Sequence, residues 1–149
     1  IYWKDVPYGN GGSVVAIARD KSGKEVARHR IETAGKAVAL RIEAETPADW
    51  KADGMDLQYI NVTAIDKKGR PAWNYEEPLT VQVEGAARLL AMDNGDHYTS
   101  DLFNNVTTKK INKGKMQIIL RSTQKAGNVK VKIISAKQKA TLHLSTKKK

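Results

Sequence analysis

Oxygen-bearing side chains cluster in the segment LLAMDNGDHYTSDLF, residues 89–103. Asp93, Asn94, Asp96 and Asp101 offer the carboxylate and amide oxygens that Ca²⁺ takes as ligands. The DxDxDG spacing of a calcium loop is absent, however. Asn, Asp and Gly all tolerate left-handed backbone angles, so the Asn-Gly-Asp sequence favours a tight turn. The segment therefore predicts a hydrogen-bonded turn that follows a short strand and displays polar side chains, and it predicts no metal.

Other reactive or metal-binding side chains are few. The chain has no cysteine, which excludes thiol catalysis, disulfides and thiolate metal sites. His29, His97 and His143 are far apart and form no HxH or HxxxH pair. We therefore predict that the histidines are surface residues and that no cofactor is bound.

Aromatic rings in loops remain as candidates for binding. Trp3, Trp50 and Trp73 lie in or beside predicted loops, and exposed Trp and Tyr rings can stack on the apolar face of a sugar. In one interpretation Trp50 and Trp73 close the ends of the core, which has few large residues because the chain contains one Phe. In the other, Trp73 and Tyr75 contact a carbohydrate or a partner from a loop that Pro71 and Pro78 stiffen. The neighbours expected at the same loop end are Asp96, His97 and Tyr98.

The elements that hold these loops are predicted to be β-strands. Apolar and polar residues alternate in most of the chain, and no window of about 11 residues has a convincing helical period. The predicted strands are 13–20, 25–33, 37–45, 57–66, 79–84, 89–92, 115–121, 129–135 and 140–145. Short strands separated by Gly-rich turns indicate an all-β fold, an immunoglobulin-like antiparallel β-sandwich.

A break at Ala34-Gly35-Lys36 divides the chain. About seven strands follow it in about 110 residues, the size of one immunoglobulin-like sandwich. An isolated hairpin is only marginally stable in water. We therefore predict that residues 1–35 are the C-terminal strands of a preceding immunoglobulin-like module, that residues 36–146 form the sandwich, and that residues 147–149 are a basic tail. The N-terminal hairpin is expected to pack on the sandwich or to pair with a second chain, forming an oligomer.

Positive charge is concentrated at the C-terminal end. The net charge is +10. Residues 109–149 contain 13 lysines and arginines and no acid, whereas residues 1–108 have a net charge of −3. Such a balance can indicate nucleic-acid binding. Here the lysines alternate with apolar residues, as on the solvent face of a half-buried strand, and no aromatic residue that could stack on bases follows Phe103. We predict no nucleic-acid partner. No apolar run approaches the roughly 18 residues of a membrane span, so none is expected.

The order of several short motifs resembles one enzyme family. The N-terminal part has WKDVPY (3–8), a strand ending in ARD (18–20), GKEVA (23–27) and ETAGK (32–36). The later part has KADG (51–54), DL (56–57), DKKG (66–69), LTVQVEG (79–85), MDNGD (92–96), RST (121–123) and AG (126–127). In this order they are similar to the C-terminal immunoglobulin-like region of bacterial glycoside hydrolase family 2 enzymes of the β-galactosidase kind.

The resemblance implies a parent enzyme, periplasmic or extracellular, that hydrolyses terminal β-glycosides, in particular β-galactosides. In that family the two catalytic carboxylates lie on a (β/α)₈ barrel, and this chain is too short for one and has no alternating βα pattern. We therefore predict that it is not itself an enzyme and that its partner is an upstream catalytic domain of the same polypeptide. Its own acids lie in strands or turns, and we assign catalysis to none of them.

Two function classes remain open from the sequence. The first is a non-catalytic module of a glycosidase, with a structural, docking or weak carbohydrate-binding role and a polysaccharide as its ligand. The second is an adhesin-like bacterial immunoglobulin repeat with a structural or cell-surface role. Tandem sandwiches with a short link suit both.

Overall fold

The computed structural model describes Lys4 and residues 11–148. Predictions on Trp3, on most of the WKDVPY motif and on the last residue of the basic tail lie outside the described residues. The chain divides into two compact units, Ile1–Gly35 and Lys36–Lys149.

The first unit contains an antiparallel hairpin of β1 (Ser13–Arg19) and β2 (Glu25–Glu32). Its turn is fixed by Asp20, whose Oδ1 accepts hydrogen bonds from the backbone N–H groups of Ser22 and Lys24. Both faces of the hairpin expose large apolar side chains, with Val14 and Ile31 opposite each other on one face and Ile17 on the other. A two-stranded sheet has no second layer of its own, so these side chains stay exposed within the described part of the unit.

The described residues of the second unit, 36–148, form eight strands. They are β3 (Ala39–Ala44), β4 (Leu57–Ile65), β5 (Pro78–Gly85), β6 (Ala87–Asp93), β7 (Thr108–Lys110), β8 (Lys115–Ser122), β9 (Gly127–Ile134) and β10 (Lys139–Thr146). The turn between β4 and β5 begins like the hairpin turn of the first unit. Asp66 Oδ1 accepts from the N–H groups of Lys68 and Arg70, and Gly69 has a φ of +75°.

These strands form two antiparallel sheets, which confirms the predicted immunoglobulin-like sandwich. The first sheet has the order β3-β4-β8-β6 and the second has the order β10-β9-β5-β7. A strand from the last third of the chain, β8 or β9, is therefore central in each sheet. No helix among the described residues is long and apolar enough to cross a membrane.

The core follows from the alternation of side chains along the strands. Inward residues of β4, β8 and β9 are fully buried, among them Ile60, Ile118 and Val131, while their neighbours in sequence face outward. Burying a side chain of this size stabilises the fold by about 1.5–3 kcal/mol. The outward residues of the first sheet are thereby fixed in rows across its strands, and those rows form the surface described below.

Strand β7 was not predicted from the sequence. Its residues, Thr108–Lys110, are all polar, and the central one, Lys109, points inward with 5% of its surface exposed. The Lys109 ammonium donates to the carbonyl of Leu102 at 3.1 Å and lies 4.5 Å from the centre of the Phe103 ring. A long side chain can bury its methylene stem and still place its charge beside a carbonyl and a ring, which hydrophobic patterning does not register.

Candidate functional site

Trp73 lies in a loop that backbone hydrogen bonds hold against the first sheet. The N–H of Ala72 donates to Ala64 on β4 at 2.8 Å, and the N–H of Gly114 donates to Tyr75 at 2.9 Å. Strand β4 and the turn that precedes β8 thus anchor the loop. The Trp73 side chain remains 54% exposed. The interpretation that Trp73 closes the end of the core is therefore wrong.

Trp50 does close one end of the core. It is 1% exposed, and its indole N–H donates to the carbonyl of Asp56 at 3.1 Å. A buried indole needs this single acceptor because the N–H is its only polar group. The core-closing prediction is confirmed for Trp50.

The expectation that Tyr75 contacts a ligand with its ring is wrong. Tyr75 is 7% exposed and belongs to the core, and its hydroxyl donates to Ser135 Oγ at 2.9 Å. With one residue between them, Trp73 and Tyr75 point in opposite senses, one outward and one inward. A buried ring cannot offer a face to a sugar.

A groove of about 510 Å³ runs beside Trp73 on the outer side of the first sheet. That volume is within the range of small-molecule sites. Its polar lining comes from four separate parts of the chain: β4, the end of β6, the turn before β8, and β8 itself. The lining residues other than Trp73 are Asn61, Val62, Thr63, Asp93, Asn94, Gly95, Asn112, Lys113, Lys115, Met116 and Gln117.

A network of side-chain amides crosses the floor of the groove. Asn61 and Gln117 are directly opposite each other on β4 and β8, and the Gln117 amide donates to Asn61 Oδ1 at 3.2 Å. Both amides also donate to the Glu45 carboxylate, at 3.0 and 3.3 Å. Because these bonds use only part of the capacity of each amide, donors and acceptors remain for a ligand.

Lys115 orients the Trp73 ring. Its ammonium lies 4.7 Å from the centre of the ring, a cation–π contact worth about 0.5–1 kcal/mol at an exposed site. The contact holds the indole at the rim of the groove.

Consecutive hydrogen-bonded turns form the other rim. Asp93 Oδ1 accepts from the N–H of Gly95 at 2.8 Å, and Asn94 Oδ1 accepts from the N–H of Asp96 at 3.1 Å. Asp96 Oδ1 in turn accepts from the N–H of Tyr98 at 3.0 Å. This is the hydrogen-bonded turn that the sequence predicts. No group of three His, Asp or Glu side chains that could hold a metal is found in the part of the chain that the structure describes.

The groove brings together only some of the predicted contact residues. Trp73 shares its lining with the start of the turn, Asp93 to Gly95. Asp96, His97 and Tyr98 follow just beyond that rim, and Tyr98 is 99% exposed. Their contact with a ligand stays a prediction.

Sequence reasoning missed the amides of the groove. Asn61 and Gln117 occupy outward positions of strands that were predicted correctly, so the alternation assigns them to the solvent face. It does not reveal that β4 and β8, more than fifty residues apart in sequence, are neighbours.

Several known proteins are similar to this chain in sequence or in structure. The β-galactosidase BoGH2A of Bacteroides ovatus is 31% identical to this chain over 120 residues, which is 80% of this chain and 14% of the galactosidase. A glycosyl hydrolase family 2 member from Bacteroides cellulosilyticus matches with a TM-score of 0.83 and 28% identity, covering 95% of this chain and 18% of that one. A β-glycosidase from Bacteroides vulgatus matches with a TM-score of 0.76 and 25% identity, again over 95% and 18% of the two chains.

The chain thus spans about one-seventh of the length of the curated relative that it matches. The family model named glycoside hydrolase family 2 C-terminal domain 5 matches residues 40–142, which is most of the second unit. This match confirms the resemblance drawn from the motifs and favours a glycosidase module over an adhesin-like repeat. The chain belongs to the glycoside hydrolase family 2 C-terminal domain 5 family.

Proposed function

We propose that this chain is a non-catalytic domain of a family 2 glycosidase and that the groove beside Trp73 binds carbohydrate weakly. The observation that carries the proposal is the half-exposed indole of Trp73 at the rim of a groove lined by amides and a carboxylate. Trp50 and Tyr75 are both buried in the core, whereas Trp73 is not, so a ligand explains the exposed indole beside a polar groove better than packing does.

The chemistry of the groove suits a sugar. One face of a pyranose carries C–H groups that pack on an aromatic ring, while its hydroxyls both donate and accept hydrogen bonds. Asn61 and Gln117 supply both functions from a rigid strand pair, and the Asp93 carboxylate accepts. Because the groove is open and its polar groups are solvated, the binding is expected to be weak.

Weak binding is tested by affinity electrophoresis of the chain in gels that contain galactan, arabinogalactan or xyloglucan. The wild type should be retarded by at least one of them. Trp73→Ala should migrate freely, and Trp73→Phe should be retarded in part. Met55→Ala, which removes an exposed apolar side chain outside the groove, should behave as the wild type. If Trp73→Ala is retarded as strongly as the wild type, the groove is not the binding site. If no polysaccharide retards the wild type, the role is structural or docking.

We further propose that catalysis belongs to an upstream domain of the same polypeptide, which acts on terminal β-glycosides and in particular β-galactosides. The name of the Bacteroides ovatus relative supports this substrate. Glycoside hydrolysis uses two carboxylates about 5–10 Å apart, one of which needs a raised pKa. Here Glu76 pairs with Lys110 and Glu77 with Lys137, and Asp93 caps a turn. The complete polypeptide should hydrolyse nitrophenyl β-galactoside and release nitrophenol, and this chain alone should not. Turnover by this chain would refute the proposal.

For residues 1–35, which include the β1–β2 hairpin, we propose that they are the C-terminal strands of a preceding immunoglobulin-like module. The exposure of Val14, Ile17, Val26 and Ile31 supports this, because a second layer must cover such residues in a stable fold. Hydrogen exchange at the β1 and β2 amides should be fast in this chain and slow in a longer chain that includes the preceding segment. Slow exchange here, together with a dimeric mass by light scattering, would instead indicate pairing with a second copy.

The site of action that we propose is the periplasm or the cell exterior, because polysaccharides do not reach the cytoplasm intact. Fractionation of the source cells with an antibody against this chain tests it. Recovery in the cytoplasmic fraction alone would refute it.

A further inference from the structure

Two arginines face each other on the outer side of the first sheet. Arg88 on β6 and Arg121 on β8 are direct cross-strand partners, and both are exposed. Their neighbour on the third strand, opposite Arg121, is Leu57 on β4. Like charges directly opposite each other in an antiparallel pair destabilise it. The pair therefore needs an explanation other than stability.

Neither arginine has an anionic partner within the described residues. The ion pairs of the first sheet's outer face lie elsewhere, as in Arg41 with Glu43 on β3. The row next to the arginines is apolar and uncharged, with Ile119 and Ala91 beside them on the same two strands. Two guanidinium groups side by side offer two planar forks of N–H donors, the geometry that holds an oxyanion.

The arginine pair lies on the same face as the groove. Outward positions on β8 run from Lys115 and Gln117 in the groove through Ile119 to Arg121. The six residue-to-residue steps from Lys115 to Arg121 span about 20 Å along an extended strand. A row of half-buried Tyr59, Ile119 and Ala91 lies between the amides and the arginines. The face thus presents Trp73, then amides, then an apolar row, and then two cations, in a line long enough for several sugar units.

We propose that Arg88 and Arg121 form an anion clamp, so that the glycan bound along this face is acidic and carries a carboxylate or a sulfate ester several units from the sugar at Trp73. The inference rests on the proposed function, because it assigns the ligand class of the same face. The oxyanion relieves the repulsion between the two arginines when it binds. Neutral sugars at the Trp73 end are recognised through the amides.

The test uses this chain and two probes, polygalacturonate as the carboxylate-bearing glycan and galactan as the neutral one. Sulfated galactan in place of polygalacturonate identifies the source of the oxyanion. The double variant R88Q/R121Q removes the clamp. The matched control K130Q/K139Q removes the same charge from the outer face of the second sheet, where Lys130 and Lys139 lie on β9 and β10. Retention is measured by affinity electrophoresis over a series of salt concentrations.

We expect R88Q/R121Q to raise the dissociation constant for the acidic glycan about tenfold, with little change for galactan, since each arginine contributes one exposed charge-assisted contact. K130Q/K139Q should bind both probes as the wild type does. Without glycan, R88Q/R121Q should unfold at the same temperature as the wild type or a higher one. The acidic glycan should raise the unfolding temperature of the wild type and of K130Q/K139Q equally, and that of R88Q/R121Q less. If the arginines instead stabilised the fold, R88Q/R121Q without glycan would unfold at a lower temperature than the wild type.

The other outcomes are separable. If the affinity for the acidic glycan falls equally in both double variants, the effect is one of net charge and the clamp is overturned. Equal binding of duplex DNA, lost in the same variant, also overturns it, because the surface would then accept any polyanion. If galactan is bound through Trp73 but the clamp variant changes nothing, the proposed function stands and the clamp fails. If no glycan binds, both fail.

Discussion

Gly114 determines how closely the Trp73 loop approaches the first sheet. The residue has a φ of +69°, and a Cβ built on it would lie 2.4 Å from the carbonyl oxygen of Ala72. That oxygen belongs to the backbone, so it cannot move aside as a flexible side chain could. Ala72 immediately precedes Trp73, and the N–H of Gly114 donates to the carbonyl of Tyr75 on the other side of the loop. Replacing Gly114 by Ala should therefore strain the turn and displace the loop.

The cost of Gly114→Ala has two parts. The left-handed backbone angle costs about 1–2 kcal/mol for a residue with a Cβ. Relief of the overlap with Ala72 costs about 1–3 kcal/mol more, as in other overpacked sites. The free energy of unfolding should fall by about 2–5 kcal/mol in total.

Gly69→Ala is the matched control. Gly69 has a φ of +75°, and nothing lies within 4 Å of a Cβ built on it. This variant should lose only the backbone part, about 1–2 kcal/mol.

Urea unfolding, followed by the far-ultraviolet circular dichroism of the β-sheets, measures both variants. The difference between them isolates the close approach at Ala72. If Gly114→Ala and Gly69→Ala lose the same free energy within about 0.5 kcal/mol, the clash is relieved without cost and the reasoning is refuted. If the reasoning holds, Gly114→Ala should also weaken glycan retention, since Trp73 moves with Ala72, while Gly69→Ala should not.

Three further changes have defined outcomes. Tyr75→Phe removes the hydrogen bond to Ser135 and should lower the free energy of unfolding by about 1 kcal/mol in urea titrations; an unchanged midpoint would contradict the bond. Lys109→Met keeps the buried volume but removes the ammonium that holds the loop after β6, so amide exchange in that loop should accelerate while the core amides keep their protection. The hydrogen bond from Lys132 lowers the pKa of Glu84 from its usual 4.5, so the stability that this carboxylate contributes is complete above that value and is lost as the pH falls through the lowered pKa. An NMR titration should find the Glu84 pKa higher in Lys132→Met than in the wild type, and equal values would refute the assigned cause.

Strand positions could be read from the sequence wherever one face is buried and the other is solvated. Strands β4, β8 and β9 are of this kind, and their predicted bounds agree with the structure within one or two residues at each end. Strand β7 was not predicted, because the residue at its inward position is Lys109 and not an apolar residue. Its burial depends on a carbonyl and a ring supplied by the loop that precedes it, and no local pattern encodes that contact.

The candidate site was predictable only in part, for a related reason. Outside regular strands there is no period that assigns side chains to the inside or the outside. Trp73 and Tyr75 are two residues apart and were expected to act together, but the loop between Pro71 and Pro78 is irregular and turns one ring into the core. The amides opposite each other on β4 and β8 become neighbours only when the two strands pair, which is a property of the topology.

The placement of β8 and β9 has a consequence for the synthesis of the protein. Each sheet receives one of these strands at its centre, with partners on both sides, yet both strands lie between residues 115 and 134. Until they leave the ribosome, β4 and β6 of the first sheet and β5 of the second have no central partner, and their apolar faces stay uncovered. Folding dominated by such distant pairings is slow. The nascent domain therefore exposes unpaired, aggregation-prone strands during most of its translation. Its sheets can form completely only after the lysine-rich segment with β8 and β9 has been synthesised.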